Sequence, residues 1–296
     1  MAVGIDRARK LARGLIFDCD GVLADTERYG HLPAFNATFK DYGLPVQWSE
    51  DDYGEKLKIG GGKERMASLF DDPDFVRTAQ IPADEAGRRE LLAQWHKAKT
   101  ATFKKMVAEG RIPPRPGIAR IIRAALNDDW TVAVASTSAE ESVRAVLENA
   151  VGHELATRVP LFAGDIVPAK KPDPAIYSLT LAKLELDPAD TLVVEDSRNG
   201  LLAAIGAQLR CLVTVNGYTQ QERFDEAVLV VSELGDPGRP PIHVLANRSA
   251  ARPGDYITLD DLRDCLRAAP AEELQEQAAA TGSGSVQDPG EGEASE

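Results

Sequence analysis

The sequence predicts an α/β protein in which a doubly wound parallel sheet carries a block of helices inserted after its first strand. Three observations lead there. From Pro113 onward, short and almost wholly apolar runs alternate with helix-length stretches, and strands that lack a polar face belong to parallel sheets covered by helices on both sides. Residues 31–109 contain no convincing β run. Ahead of that block, Gly14-Leu-Ile-Phe-Asp18-Cys-Asp20-Gly21 reads as a short buried strand that stops at two acids and a glycine able to turn the chain sharply.

Taken in order, the chain changes from strand to helix after Glu27. Within residues 31–43, Phe35 and Phe39 stand four apart and Gly43 supplies a stop. Residues 45–52 connect, and the polar loop Gly60-Gly61-Gly62-Lys63-Glu64-Arg65 interrupts a helical text that resumes through Leu91, Trp95, Phe103 and Met106. Further strands are expected at 131–136, 160–164, 191–195, 210–215 and 227–232, with helices near 117–127, 139–150, 173–184 and 198–206 between them. Residues 234–255 are rich in Gly, Pro and Arg, and 256–266 read as one last short element. Beyond Pro270 there is no apolar periodicity, so residues 271–296 are expected to be a disordered tail.

Composition removes several function classes. A net charge of −13 over 296 residues argues against nonspecific binding to nucleic acid or to an anionic membrane, both of which need a positive field. An anionic substrate must therefore be drawn in by local Lys and Arg. The three cysteines, Cys19, Cys211 and Cys265, are scattered and odd in number, which argues for free thiols. Cys19 lacks a nearby His to activate it. No stretch reaches membrane-spanning length, and residues 1–13 lead into no apolar core of the signal type. A soluble, cytoplasmic monomer is the expectation.

Ligands of doubly wound sheets gather at the carboxyl ends of the strands, and Asp18, Ser136, Asp165 and Asp196 all fall where an expected strand ends. Each alone has a plainer reading. Asp18 and Asp20 fit a solvated turn, although like charges this close repel unless a cation or proton sits between them. A hard cation such as Mg2+ takes oxygen ligands and would suit them. Ser136-Thr137-Ser138 fits a helix cap, or a set of hydroxyls and N–H groups for phosphate oxygens. Lys170-Lys171-Pro172-Asp173-Pro174 fits a charged helix start, or a lysine held in a stiff loop. Glu195-Asp196-Ser197 fits helix capping, but sets two adjacent acids at a buried strand end. In the inserted block, Lys63, Arg65 and His96-Lys97-Ala98-Lys99 offer positive charge, or merely a solvated helix face and a flexible turn.

The ordered set of DxDG, a hydroxyl after the next strand, a lysine before Pro and then an acidic pair resembles the haloacid dehalogenase-like phosphohydrolases over residues 14–232. That resemblance implies a Rossmann-like core at 1–30 and 110–232 and a helical cap at 31–109; residues 233–270, which the family pattern does not explain, are expected to form a C-terminal extension of the core. It implies Asp18 as nucleophile, Asp20 as acid and base, and Ser136 and Lys171 as stabilisers of the transferring phosphate. It further implies Mg2+ held by Asp18, the Asp20 carbonyl and Asp196, with Glu195 in support. The segments around Glu27, 53–65 and 195–201 are similar to xylulose-1,5-bisphosphate phosphatases. For that subgroup a sugar-phosphate substrate would be contacted by Glu27, Gly62, Lys63, Arg65, His96 and Lys99, with Ser136, Thr137 and Lys171 around the reacting phosphate. A β-phosphoglucomutase-like enzyme, or another sugar-phosphate phosphatase, shares the same nucleophile motif. A non-catalytic interaction protein on this fold would be expected to have lost Asp18, Asp20, Lys171 or Asp196, and all four are present.

Overall fold

The structure, a computed structural model, describes residues 13–270 and, beyond them, residues 273, 274 and 276. A single seven-stranded sheet runs β3-β2-β1-β4-β5-β6-β7. Its strands are β1 (Gly14–Phe17), β2 (Thr131–Ser136), β3 (Leu161–Ala163), β4 (Thr191–Glu195), β5 (Arg210–Thr214), β6 (Leu229–Val231) and β7 (Val244–Asn247). The first six are parallel and β7 is antiparallel to β6. Gly14 stands opposite both Thr131 and Thr191, so β1 is an interior strand on which its two neighbours are registered. Strand order reverses between β1 and β4, which opens a crevice beyond their carboxyl ends.

The parallel strands are apolar on both faces because each face meets helices. Leu15 and Phe17 join one buried cluster, and Ile16 joins the other. The first cluster packs α6 (Ile118–Asn127) and α7 (Glu140–Val151), followed by the single turn α8 (His153–Ala156). The second packs α9 (Ala175–Leu184) and α10 (Arg198–Gly206).

Between β1 and α6 the chain is helical. A π-helical turn (Glu27–His31) leads into α1 (Leu32–Asp41), followed by α2 (Glu50–Leu57), α3 (Gly62–Ala67), α4 (Pro73–Thr78) and the 24-residue α5 (Glu85–Ala108). The starts are written in the sequence: Ser49 and Asp52 form a capping box for α2, Asp72 caps α4 ahead of Pro73, and Asp84 caps α5. This block has a hydrophobic cluster of its own, built on Phe35, Phe39, Trp48, Tyr53, Met66 and Trp95. On α5, Trp95, Lys99, Phe103 and Val107 are buried four apart on one stripe; Trp95 enters the block's own cluster while Phe103 and Val107 join the sheet's. The two chain crossings between block and sheet lie side by side: Asp25 N donates to Pro113 O, Arg115 N donates to Leu23 O, and Ala24 bridges Pro114.

The segment after β6 is packed rather than appended. Its helix α11 (Leu259–Leu266) starts on a Thr258/Asp261 capping box, and Ile257, Leu262 and Cys265 enter the first sheet cluster. The sequence reading placed a last short element at 256–266, which is this helix, but did not find β7, whose four residues lie in Gly/Pro-rich text and are fixed by pairing with β6. The expected disordered tail, 271–296, falls outside the described residues apart from 273, 274 and 276. Cys19, Cys211 and Cys265 are buried free thiols. Among the described residues no helix is long and apolar enough to cross a membrane.

Candidate active site

Asp18 is the first residue past β1, and its N–H still donates to Val194 O, so the carboxylate is held at the crevice by the sheet itself. Asp196 occupies the same position beyond β4, one residue after Glu195. Oxygens of Asp18, Glu195 and Asp196 all lie within 4.8 Å of one another, and all three residues are buried. Glycines make room for them. At Gly21 (φ +76°) a Cβ would sit 2.1 Å from Asp196 Oδ2, and at Gly200 it would sit 1.9 Å from the Glu195 carboxyl carbon.

Lys171 answers part of this negative charge. Its Nζ donates to Asp18 Oδ1 at 2.5 Å and to Glu195 Oε1 at 2.7 Å, and lies 4.7 Å from the centre of the Tyr177 ring. Tyr177 OH donates to the same Glu195 oxygen at 2.5 Å. Although burial disfavours its charge, Asp18 and Glu195 hold the Lys171 ammonium above the ordinary lysine value. One cation does not balance three buried acids. Burial, opposed by Lys171 and reinforced by Glu195 and Asp20, raises Asp18 to about 7. Burial and the charges of Glu195 and Asp18 raise Asp196 well above its usual range. Three carboxylates that share a pocket and resist joint ionisation are a donor set a hard divalent cation fits. Such an ion, bound by Asp18, Asp196 and Glu195, would supply the missing positive charge.

Asp20 points elsewhere. Its Oδ1 accepts from Thr26 Oγ1 at 2.8 Å and lies 2.9 Å from His31 Nε2, while Ser138 donates to its Oδ2. Lys99 Nζ lies 2.7 Å from His31 Nδ1. An ammonium only donates, so this network assigns the ring proton to Nε2, facing Asp20. Burial works to raise Asp20, but His31, Ser138 and Thr26 together hold it well below the usual carboxylate range. Burial lowers Lys99 to about 8. Thus Asp18 and Asp20, one residue apart on either side of Cys19, are driven in opposite directions by their surroundings.

Above these acids lies a cleft of about 1490 Å3 between the helical block and the strand ends. It is lined by every site residue named from the sequence: Asp18, Asp20, Glu27, Gly62, Lys63, Arg65, His96, Lys99, Ser136, Thr137, Lys171, Glu195 and Asp196. Their placements differ. Ser136 is buried at the end of β2, and its Oγ accepts from Ser138 N at 3.2 Å. Glu27 accepts from Tyr53 OH at 2.5 Å and lies 3.5 Å from Arg65 NH1, which also donates to Tyr53 OH at 2.9 Å. Lys63 reaches across the cleft to Asp165 at 3.1 Å, and Lys170 reaches back to Glu64 at 2.9 Å. His96 stands over Gly62, where a Cβ would be 3.3 Å from its Nε2, and burial together with Lys99, Lys63 and Lys170 lowers it to about 4. Lys99 is not on the open wall; it is buried beneath Phe35 and Phe103 and turned to His31.

Sequence reasoning missed His31, Tyr53, Tyr177 and Asn216, whose Nδ2 donates to Asp196 Oδ2 at 2.6 Å, and it gave Ser138 to phosphate oxygens where the structure turns its hydroxyl to Asp20. Of these, His31 left a faint signal as one of only four histidines.

A doubly wound sheet with these acids and a lysine at its switch point has the make-up of a hydrolase active site. The pattern of the haloacid dehalogenase-like hydrolases matches residues 12–208. The chain is 48% identical over 227 residues to a CBBY-like protein of Arabidopsis thaliana, covering 77% of this chain and 70% of that one. It is 38% identical over 236 residues to protein CbbY of Cupriavidus necator, covering 78% and 90%. A solved CbbY variant from Rhodobacter sphaeroides in complex with xylulose-(1,5)bisphosphate superposes with a TM-score of 0.67 at 36% identity, covering 77% of this chain and 97% of that one. The chain belongs to the haloacid dehalogenase-like hydrolase family.

Proposed function

We propose that this enzyme is a Mg2+-dependent phosphatase that converts xylulose-1,5-bisphosphate and water to xylulose 5-phosphate and phosphate through a phosphorylated Asp18. The observation that carries the reading is Lys171 bridging Asp18 and Glu195 beside Asp196, at the floor of a cleft whose far wall bears Lys63, Arg65 and His96. The likeness to a CbbY that binds xylulose-(1,5)bisphosphate supports the substrate.

In this reading Asp18 Oδ attacks phosphorus as the ester P–O bond breaks, and Asp20 gives its proton to the departing sugar oxygen. Water then attacks the phosphorus of the Asp18 phosphate with Asp20 taking its proton, which frees phosphate and restores both acids. In the free enzyme His31, Ser138 and Thr26 favour ionised Asp20; an arriving phosphate dianion raises it toward the proton-bearing form. Lys171 and the Ser136 hydroxyl face the equatorial oxygens as charge shifts. Asp18, Asp196, Glu195 and the Asp20 carbonyl would hold Mg2+, which would supply charge neutralisation for the transferring phosphate. The helical block acts as a cap: Lys63 and His96 meet the distal phosphate, and Glu27, fixed by Tyr53 and Arg65, meets sugar hydroxyls.

Phosphate release with Mg2+ across xylulose-1,5-bisphosphate, ribulose-1,5-bisphosphate, fructose-1,6-bisphosphate and β-glucose 1-phosphate tests this. A kcat/KM for the first at least about tenfold above its isomer is expected from a cap that reads stereochemistry. Equal rates overturn the substrate, and glucose 6-phosphate formed from the glucose ester would make the enzyme a mutase.

A further inference from the structure

Arg115 stands at the second chain crossing, where the helical block returns to the sheet. Its guanidinium is spent on main-chain carbonyls from three separate segments. NH1 donates to Gly21 O and to Thr214 O at 3.0 Å; NH2 donates to Val215 O at 2.8 Å and to Ser232 O at 2.5 Å. Among the described residues no carboxylate lies within ion-pair distance of it. These contacts close around one acid. Gly21 is the wall against Asp196, at the point where a Cβ would sit 2.1 Å from its Oδ2. Val215 precedes Asn216, whose side chain donates to that same oxygen. Arg115 therefore holds both groups that pin Asp196, from the carboxyl ends of β5 and β6.

We infer that Arg115 is a positioning residue for the cation site: it clamps the Gly21 turn to the ends of β5 and β6, and so fixes Asp196 where a metal ligand is needed. The inference rests on the Mg2+ reading above. A planar fork is required, because four carbonyls divided between two nitrogens cannot be spanned by one ammonium. Charge alone would act in the opposite sense. Burial pushes the guanidinium down and Asp196 is the strongest pull upward, so a cation so close to Asp196 repels a second cation.

That opposition gives the test a sign. Mg2+ affinity is measured by calorimetry on metal-free protein for the wild type, Arg115→Lys, Arg115→Met and Asn216→Ala, with a thermal melt of each. Positioning predicts that Arg115→Lys and Asn216→Ala each weaken Mg2+ binding about tenfold or more in folded protein. It also predicts that combining them costs less than the product of the two effects, because both act on Asp196 through one path. Lys matching wild type while Met binds Mg2+ more tightly would make Arg115 a charge and not a clamp. Lower melting with unchanged Mg2+ affinity in all variants would make it a fold staple only. Either result overturns the inference, whereas a wild type that binds no Mg2+ at all would instead overturn the metal reading on which it rests.

Discussion

Lys171 and Lys63 each hold a carboxylate in the same cleft, yet they are different kinds of ion pair. Lys171 and Asp18 have side chains only 10% and 11% exposed, and the lysine is shared with Glu195 and roofed by Tyr177. Lys63 and Asp165 are 44% and 68% exposed, and each meets water. Breaking a buried pair from one side leaves a charge without compensation, at a cost of about 3–5 kcal/mol. An exposed pair is worth about 0–1 kcal/mol. The floor of the cleft is thus fixed and its members depend on one another, while the wall is exchangeable. An entering anion can take Lys63 from Asp165 at little expense but cannot take Lys171 from Asp18. In the proposed reading, chemistry belongs to the floor and choice of substrate to the wall.

The comparison breaks most sharply at Asp18. Asp18→Asn keeps shape and removes nucleophilicity, so turnover should fall on the order of 10^4-fold or more with an unchanged circular dichroism spectrum. Activity within tenfold of wild type would sink the covalent mechanism. Next, Lys171→Met should lower kcat by about 10^2–10^3-fold, and the loss should appear in kcat rather than KM. Gly200→Ala probes the floor without touching a charged group. Its methyl would overlap the Glu195 carboxylate, so melting should fall by a few degrees, in line with about 1–3 kcal/mol of overpacking.

A pH series sharpens the contrast. Asp18 is raised from 3.8 to about 7 and burial beside Glu195 and Asp18 raises Asp196 as well, so the folded protein holds protons that the unfolded chain has released. Metal-free protein should therefore be most stable, as regards these groups, below the ordinary Asp value, and should lose that stability as pH rises from about 4 through about 7. Saturating Mg2+ should cancel the fall, and a metal-free melting curve flat across that window would contradict the crowding of acids. The smallest effect belongs to the wall. Lys63→Gln should change stability by less than about 1 kcal/mol and raise KM for the bisphosphate about tenfold with kcat kept, leaving monophosphates unaffected.

What was legible in the sequence follows the same division. Asp18, Ser136 and Asp196 were readable because parallel strands gather their ends at one edge, so local strand patterns were enough to bring distant residues together, and Lys171 was readable from the proline that follows it ahead of a helix. His31, Tyr177 and Asn216 were not, because each reaches the site from a helix or loop whose own pattern is that of ordinary packing. Lys99 shows the limit from the other side. Its charge was visible, but its place on the buried stripe of α5 turns it from the open wall to His31.

The two crossings zipped together at Ala24 and Pro114 carry a consequence for descent. A helical lobe that leaves and rejoins the sheet at neighbouring points is a cassette in the gene, bounded by two junctions that are already hydrogen-bonded to each other. After a duplication, one copy can replace or remodel that contiguous block and meet a new metabolite while the strand-end acids keep their registration. Diversification of substrate then needs no reinvention of the reaction.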